Sequence, residues 1–192
     1  MILCGCGSFQ GGVEISAGRR ALITENYGQA RARFEKAAEL EPGYVTKFTP
    51  FPENVWTYVG RSYYGLKDLG NAREALDRSV GKHPDAILGH IYLGIVQMHQ
   101  GQVEAGLGNA DKGLQLLKDW FRVLDNTNLY SCYWDPSSEI RDETERLLRQ
   151  IRAGETSGQK IASDLDWLGK QMEREIDLAA RDIDQNNFRW CP

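Results

Sequence analysis

Apolar residues in the last third of the chain recur at Ile161, Leu165, Leu168, Met172, Ile176, Ala179 and Ile183, in steps of 4, 3, 4, 4, 3 and 4. Steps of three and four keep a stripe on one face of an α-helix. They predict a single long helix from Gly158 to about Asp184. Two roles for that stripe stay open. It can cover the end of the fold, or, because the steps are close to heptad, pair with a second copy through residues 158–184. Upstream, Ile140, Leu147, Leu148 and Ile151 share another face and predict a helix ending near Arg152. Ser137 or Ser138 is placed to start it by accepting from its first free N–H groups. Asp142 with Arg146, and Glu145 with Arg149, are favourable pairs four residues apart. Gly154 to Gly158 separates the two helices. Strict alternation of apolar and polar residues is nearly absent, so sheet is not expected. The predicted fold class is all-α.

The first two thirds of the chain repeat. Trp56, Val59, Gly60, Tyr63, Ala72, Leu76 and Pro84 form one unit. Gly18, Ala21, Ala30, Phe34, Ala37 and Pro42 keep the same internal spacings upstream, with about eight extra residues between the two units. Leu93, Gly94, Gly106 and Ala110 follow 34 residues after their counterparts. The small residues let paired helices approach closely. Phe34 and Leu76 fill the space between units, and Pro42 and Pro84 stop helices because proline lacks the N–H. Lys118 stands where the third unit would close with proline, so its second helix is expected to run to about Phe121. Gly101 and Gln102 mark the turn inside that unit.

This W-x2-V-G-x2-Y…A-x3-L…P spacing resembles the tetratricopeptide repeat (TPR), a helix-turn-helix unit of about 34 residues. The resemblance covers roughly residues 12–120. It implies a right-handed α-α superhelix of about three helix pairs (residues 12–42, 53–86 and 87–120 within a solenoid spanning 12–121). A flexible tail at 1–11, an aromatic corner at 122–136 and C-terminal helices over 137–192 complete the expected organisation. In TPR proteins the first helix of each pair lines a concave face. That implies a groove built from Ile15, Arg19 and Leu22, then Asn54, Thr57, Arg61 and Tyr64, then Leu88, Ile91, Ile95, Met98 and His99. Such a groove suits an extended or helical peptide, with the two arginines forking a carboxylate. The C-terminal helix of this chain is an equally open occupant. The chaperone-binding TPR clamp is not matched, because the corresponding positions are Ile15, Arg19, Tyr58, Leu88 and Tyr92.

Composition narrows the partners. Net charge is -4 and no lysine- or arginine-rich run occurs, which disfavours nucleic acid. No run of about 18 apolar residues is long enough to span a membrane. Leu3-Cys4-Gly5-Cys6 resembles the lipidation box of bacterial lipoproteins, with Cys6 as the lipidated residue, but only three apolar residues precede Cys4. On that reading the true start lies upstream and the protein is periplasmic or membrane-anchored; on the other, residues 1–11 are a thiol-bearing tail of a cytoplasmic protein. In an exported protein Cys132 and Cys191 become disulfide candidates, with free thiols as the alternative. The insertion Gly43 to Pro52 carries Tyr44, Phe48 and Phe51 between prolines, and is expected to fold back on the solenoid or to touch a ligand.

Chemistry is sparse. His83, His90 and His99 do not share a helix-face spacing, and no phosphate loop or nucleophile motif is present. Asp164 and Asp166 flank no common face. The expectation is a protein without catalysis, metal or cofactor. Its leading function is a protein- or peptide-binding scaffold or adaptor in the bacterial cell envelope. The alternative is an accessory, solute-binding component of a periplasmic transport system, marked by a closed pocket of Trp, Tyr and Arg.

Overall fold

The computed structural model describes residues 6–46, 52–126, 134–154 and 156–184. Among these the fold is all-α. It runs α1 (Cys6–Ile23), α2 (Tyr27–Leu40), α3 (Val55–Gly65), α4 (Leu69–Lys82), α5 (Ile87–His99), α6 (Val103–Asn126), α7 (Glu139–Ala153) and α8 (Gly158–Asp184). Each odd helix packs on the next even one, and α2 on α3 and α4 on α5 join the hairpins into a row. Helix α8 then turns back across the row, packing on α5, α6 and α7 and reaching α1.

The three hairpins turn in the same way. Glu25, Lys67 and Gly101 all take positive φ (57°, 64° and 80°). They stand 42 and 34 residues apart, the same intervals as Gly18, Gly60 and Gly94. The following amide closes each turn from the same register. Asn26 N–H donates to the Ala21 carbonyl at 2.8 Å, Asp68 to Tyr63 at 3.0 Å and Gln102 to Gln97 at 2.9 Å. Asn26 and Asp68 then cap α2 and α4 with their side chains. Inside each hairpin a glycine permits close contact. A Cβ on Gly18 would lie 2.4 Å from the Phe34 ring, one on Gly60 2.5 Å from Leu76, and one on Gly94 2.6 Å from the Gly106 carbonyl oxygen.

The insertion between the first two hairpins is pinned to the fold at both described ends. Val45 and Asn54 form an antiparallel bridge, and the Trp56 indole donates to the Pro42 carbonyl at 2.9 Å. Tyr44 packs half-buried on the N-terminal core; Phe48 and Phe51 lie outside the described residues.

Three details depart from the sequence reading. Residues 6–11, expected in a flexible tail, belong to α1, whose glycine-rich start carries no apolar signal. Helix α6 runs past Phe121 to Asn126. And α7 is not started by a serine. Ser138 sits at φ 60° and its side chain makes no cap. The buried Asp135 carboxylate instead accepts from Ile140 and Arg141 N–H at 2.9 and 3.0 Å, because the reversed backbone at Ser138 carries that residue's own hydroxyl away. Trp134, beside it, is fully buried against Trp120 (rings 4.7 Å apart) and Phe121 (5.5 Å). Cys132 and Cys191 lie outside the described residues.

Two hydrophobic cores result. One, around Ile15, Phe34, Val55 and Tyr58, holds α1, α2 and α3 together. The larger, around Leu88, Ile95, Leu114, Leu147, Leu165 and Leu168, joins α4 through α8.

Candidate functional site

Helix α8 lies across the row, and its contact combines an apolar stripe with a charged fixture. Toward its N-terminus, Ile161, Leu165 and Leu168 are buried in the larger core. Gly169 then allows a close pass: a Cβ there would lie 2.7 Å from the Tyr92 ring of α5. Beyond it, Glu173 inserts between two guanidiniums, one from α1 and one from α3. Arg19 donates to one of its carboxylate oxygens and Arg61 to the other. Arg19 also reaches Asp177 at 2.9 Å, and Arg61 donates to the Gly169 carbonyl at 3.4 Å. Arg61 lies against the face of Tyr92, 4.8 Å from its centroid, an attractive placement for a cation.

All three charges are buried: Arg19 is 6% exposed, Arg61 2% and Glu173 2%. Burial works against ionised Glu173, but Arg61 and Arg19 outweigh it and hold its carboxyl below the usual range. Burial likewise opposes both guanidiniums. Glu173, with Tyr58 and Asp177, more than restores Arg19, and Tyr92 and Glu173 do so for Arg61; both keep their charge at every accessible pH. A buried ion pair of this kind is costly to break from one side, because the remaining charge has no water to turn to.

Among the residues expected to line an open groove, Arg19 and Arg61 converge on Glu173. Leu22 and Tyr64 border a cleft of about 30 Å³ beside the clamp, shared with Tyr27, Tyr92, Arg61 and Lys170. That is room for water and little else. The rest do other work. Asn54 caps α3 through Trp56 and Thr57 N–H (3.1 and 3.3 Å) and donates to Ser79 at 2.9 Å. Thr57 shares a hydrogen bond with the same Ser79 hydroxyl at 2.8 Å. Ile91 and Met98 face α6, where Gly113 and Gly106 leave space for them, and Ile95 is buried in the larger core. His99 is exposed, with its ring 5.9 Å from Tyr64. Of the residues expected to line the groove, Arg19 and Arg61 thus bond to α8 directly, and Leu22 and Tyr64 share a cleft with it. Asp164 pairs with Arg146 and Lys160, and Asp166 with Lys170, so neither forms a carboxylate pair with the other.

Glu173 and Glu53, both buried, were not singled out by sequence. Glu173 follows Met172 at the edge of the α8 stripe, and its neighbours Ile176 and Ala179 were the only signal that it turns inward. Glu53 is wholly buried at the joint of the second and third hairpins. It accepts from Leu88 N–H at 2.8 Å, supplying α5 with the cap that Ala86 cannot give. Its other oxygen has no partner among the described residues. Burial pushes its carboxyl up to about 7, against the weaker pull of Leu88, Thr57 and Arg61.

His90 is held between Asn109 (3.1 Å) and the Pro84 carbonyl (3.0 Å), a structural role. Among the described residues no group of three or more His, Cys, Asp or Glu is arranged to hold a metal ion. No described helix is long and apolar enough to cross a membrane. No family model matches the chain, and no curated protein matches it.

Proposed function

We propose that the protein is a non-catalytic, TPR-like scaffold that binds a partner protein through the concave side of its helix row. The observation that carries this reading is the seat of α8: the row of hairpins accepts an amphipathic helix along an apolar track that contains a buried two-arginine clamp. A surface that binds one helix in this way is chemically suited to others. The shared 42- and 34-residue register of turns and glycines supports the repeat assignment. The tyrosine-lined cleft beside Arg61 favours a second reading, an accessory solute-binding component of a periplasmic transport system. Its present volume admits water only, so that role requires α8 to shift.

A photo-crosslinking residue at Tyr27, beside the cleft, and another at Tyr63, which lines a different pocket with Trp56 and Arg78, test the scaffold reading in cells of the source organism. A discrete protein adduct from position 27 is expected. Adducts from position 63 alone would move binding to that other pocket, and none from either would remove the adaptor function. The envelope setting rests on the Leu3-Cys4-Gly5-Cys6 box. Palmitate-analogue labelling of the protein expressed from its own locus, abolished by Cys6→Ala, is the expected result; unlabelled protein overturns it.

A further inference from the structure

A cleft of about 170 Å³ opens between the first two hairpins, bordered by α2, α3 and α4. It shares no lining residue with the water-sized cleft beside Arg61. Its walls combine two aromatic rings, Trp56 and Tyr63, with two carboxylates, Glu35 and Glu74; Val59 and Ala75 add aliphatic surface. Hydrogen bonds hold both rings in place. The Trp56 indole donates from its edge to the Pro42 carbonyl at 2.9 Å, and the Tyr63 hydroxyl donates to Glu35. Each ring already attracts a cation. The Arg78 guanidinium lies 3.8 Å from the Trp56 centroid, and that of Arg31 5.7 Å from the Tyr63 centroid. Arg31 Nε also comes within 3.7 Å of a Glu35 oxygen, so that carboxylate is partly neutralised. Glu74 is not. It stands four residues before Arg78 on α4, the favourable order for a helix ion pair. The described ion pair of α4 joins Arg73 and Asp77 instead, and Arg78 goes to Trp56. A cation over an indole face is worth more than an exposed helix pair, which accounts for that choice. It leaves Glu74 as an exposed carboxylate on a cleft with aromatic walls.

We infer that this cleft binds a small organic cation, an alkylated ammonium, between the Glu74 carboxylate and the Trp56–Tyr63 pair. The class follows from the walls. A methylated ammonium offers charge to the carboxylates and rings, and apolar surface to Val59 and Ala75. A bare metal ion gains little from the rings, and an anion meets Glu35 and Glu74. The volume limits the size. Pockets for drug-sized ligands run to roughly 300–1,000 Å³, so this one admits a head group and a short chain. Arg78 is a built-in competitor. It covers the Trp56 face and repels a second cation, and because it is exposed it can swing away into water. Occupancy therefore depends on the ligand displacing a resident guanidinium. The site goes beyond the scaffold reading and does not depend on it.

Titration calorimetry of the full-length protein with choline and its neutral carbon isostere, dimethylbutanol, at fixed ionic strength, provides the test. Choline is expected to bind saturably, and the isostere about tenfold more weakly because it lacks the charge that rings and carboxylates attract. Glu74→Gln is an exposed change that should leave the unfolding midpoint in place, and it is expected to weaken choline about threefold. Arg78→Ala removes the competitor and is expected to tighten it. Equal binding of the isostere overturns the proposal, as does the absence of saturable choline binding. Weaker choline binding in Arg78→Ala also overturns it, because that arginine would then hold the ligand. Capped lysine amide carries the same charge on a peptide-borne chain; its binding in preference to choline reassigns the cleft to a partner's side chain and overturns the small-solute form. Crosslinking at position 27 reports on the scaffold reading separately, since Tyr27 lines the other cleft.

Discussion

The two ends of α8 sit on the same row of helices and are held by different physics. Its first half is seated among aliphatic side chains, where each contact is weak and undirected and the total is large. Its second half continues the same apolar seat through Met172, Ile176 and Ala179 and adds to it a carboxylate between two guanidiniums, where a single group matters greatly. An apolar seat tolerates small errors and opens only with the fold. A buried charged seat is narrow: a correctly placed carboxylate satisfies it, and little else does. The same helix thus carries an apolar seat along its length and one charged fixture within it.

The buried glutamates show the second kind of physics from both sides. Glu173 and Glu53 are equally hidden from water, yet their carboxyls move in opposite directions. Two cations flank the first, which stays ionised below the usual range. A neutral amide and a hydroxyl are the main company of the second, which rises to about 7. Burial alone does not set the sign; the partners do.

The largest expected break in the comparison is in the apolar seat. Leu168→Ala should cost about 2–5 kcal/mol, read as a lower midpoint in chemical denaturation with all helices melting together. Glu53→Gln tests the joint between hairpins. With a folded pKa near 7 against 4.5 unfolded, wild-type stability should decline as pH rises from 4.5 to 7. The amide variant should lose that slope, keep the cap on α5, and gain about 1–3 kcal/mol at pH 8; an unchanged slope in urea titrations would show that another group is responsible. Asp135→Ala removes the carboxylate that accepts from Ile140 and Arg141 N–H at the start of α7 and should cost about 1–2 kcal/mol, whereas Ser138→Ala should stay within about 0.5 kcal/mol. The smallest global effect belongs to the charged seat in acid. Glu173 adds stability above pH 4.5 that is lost as pH falls through its lowered folded pKa. Amide exchange near pH 3 should therefore rise in residues 173–184 before the rest, and simultaneous loss of protection everywhere would erase the distinction between the two seats.

Much of the architecture was legible because it is written in local spacing. The intervals between Gly18, Gly60 and Gly94 set the hairpins, and the stripe from Ile161 to Ala179 set α8 with nearly its full length. What stayed hidden depends on partners far away in sequence. Glu173 reads as an ordinary surface charge until Arg19 and Arg61, more than 100 residues earlier, are brought to it. Glu53 caps a helix in the next hairpin, a role no local cap motif announces. Ser138 looked like the start of α7 because serine favours that position, but a left-handed turn there gives the work to Asp135. Cys6 to Gly11 gave no helical signal, since glycine disfavours helix by up to about 1 kcal/mol per residue relative to alanine.

Gly169 stands where the two seats meet, with Tyr92 directly beneath it. A single methyl group at that point would act as a wedge, lifting the helix from the aromatic ring without altering any charge. Because Arg61 donates to the Gly169 carbonyl and lies on the same Tyr92 ring, the wedge would press on the charged fixture as well. One missing side chain thus sets how closely a ring, a guanidinium and a helix backbone can meet.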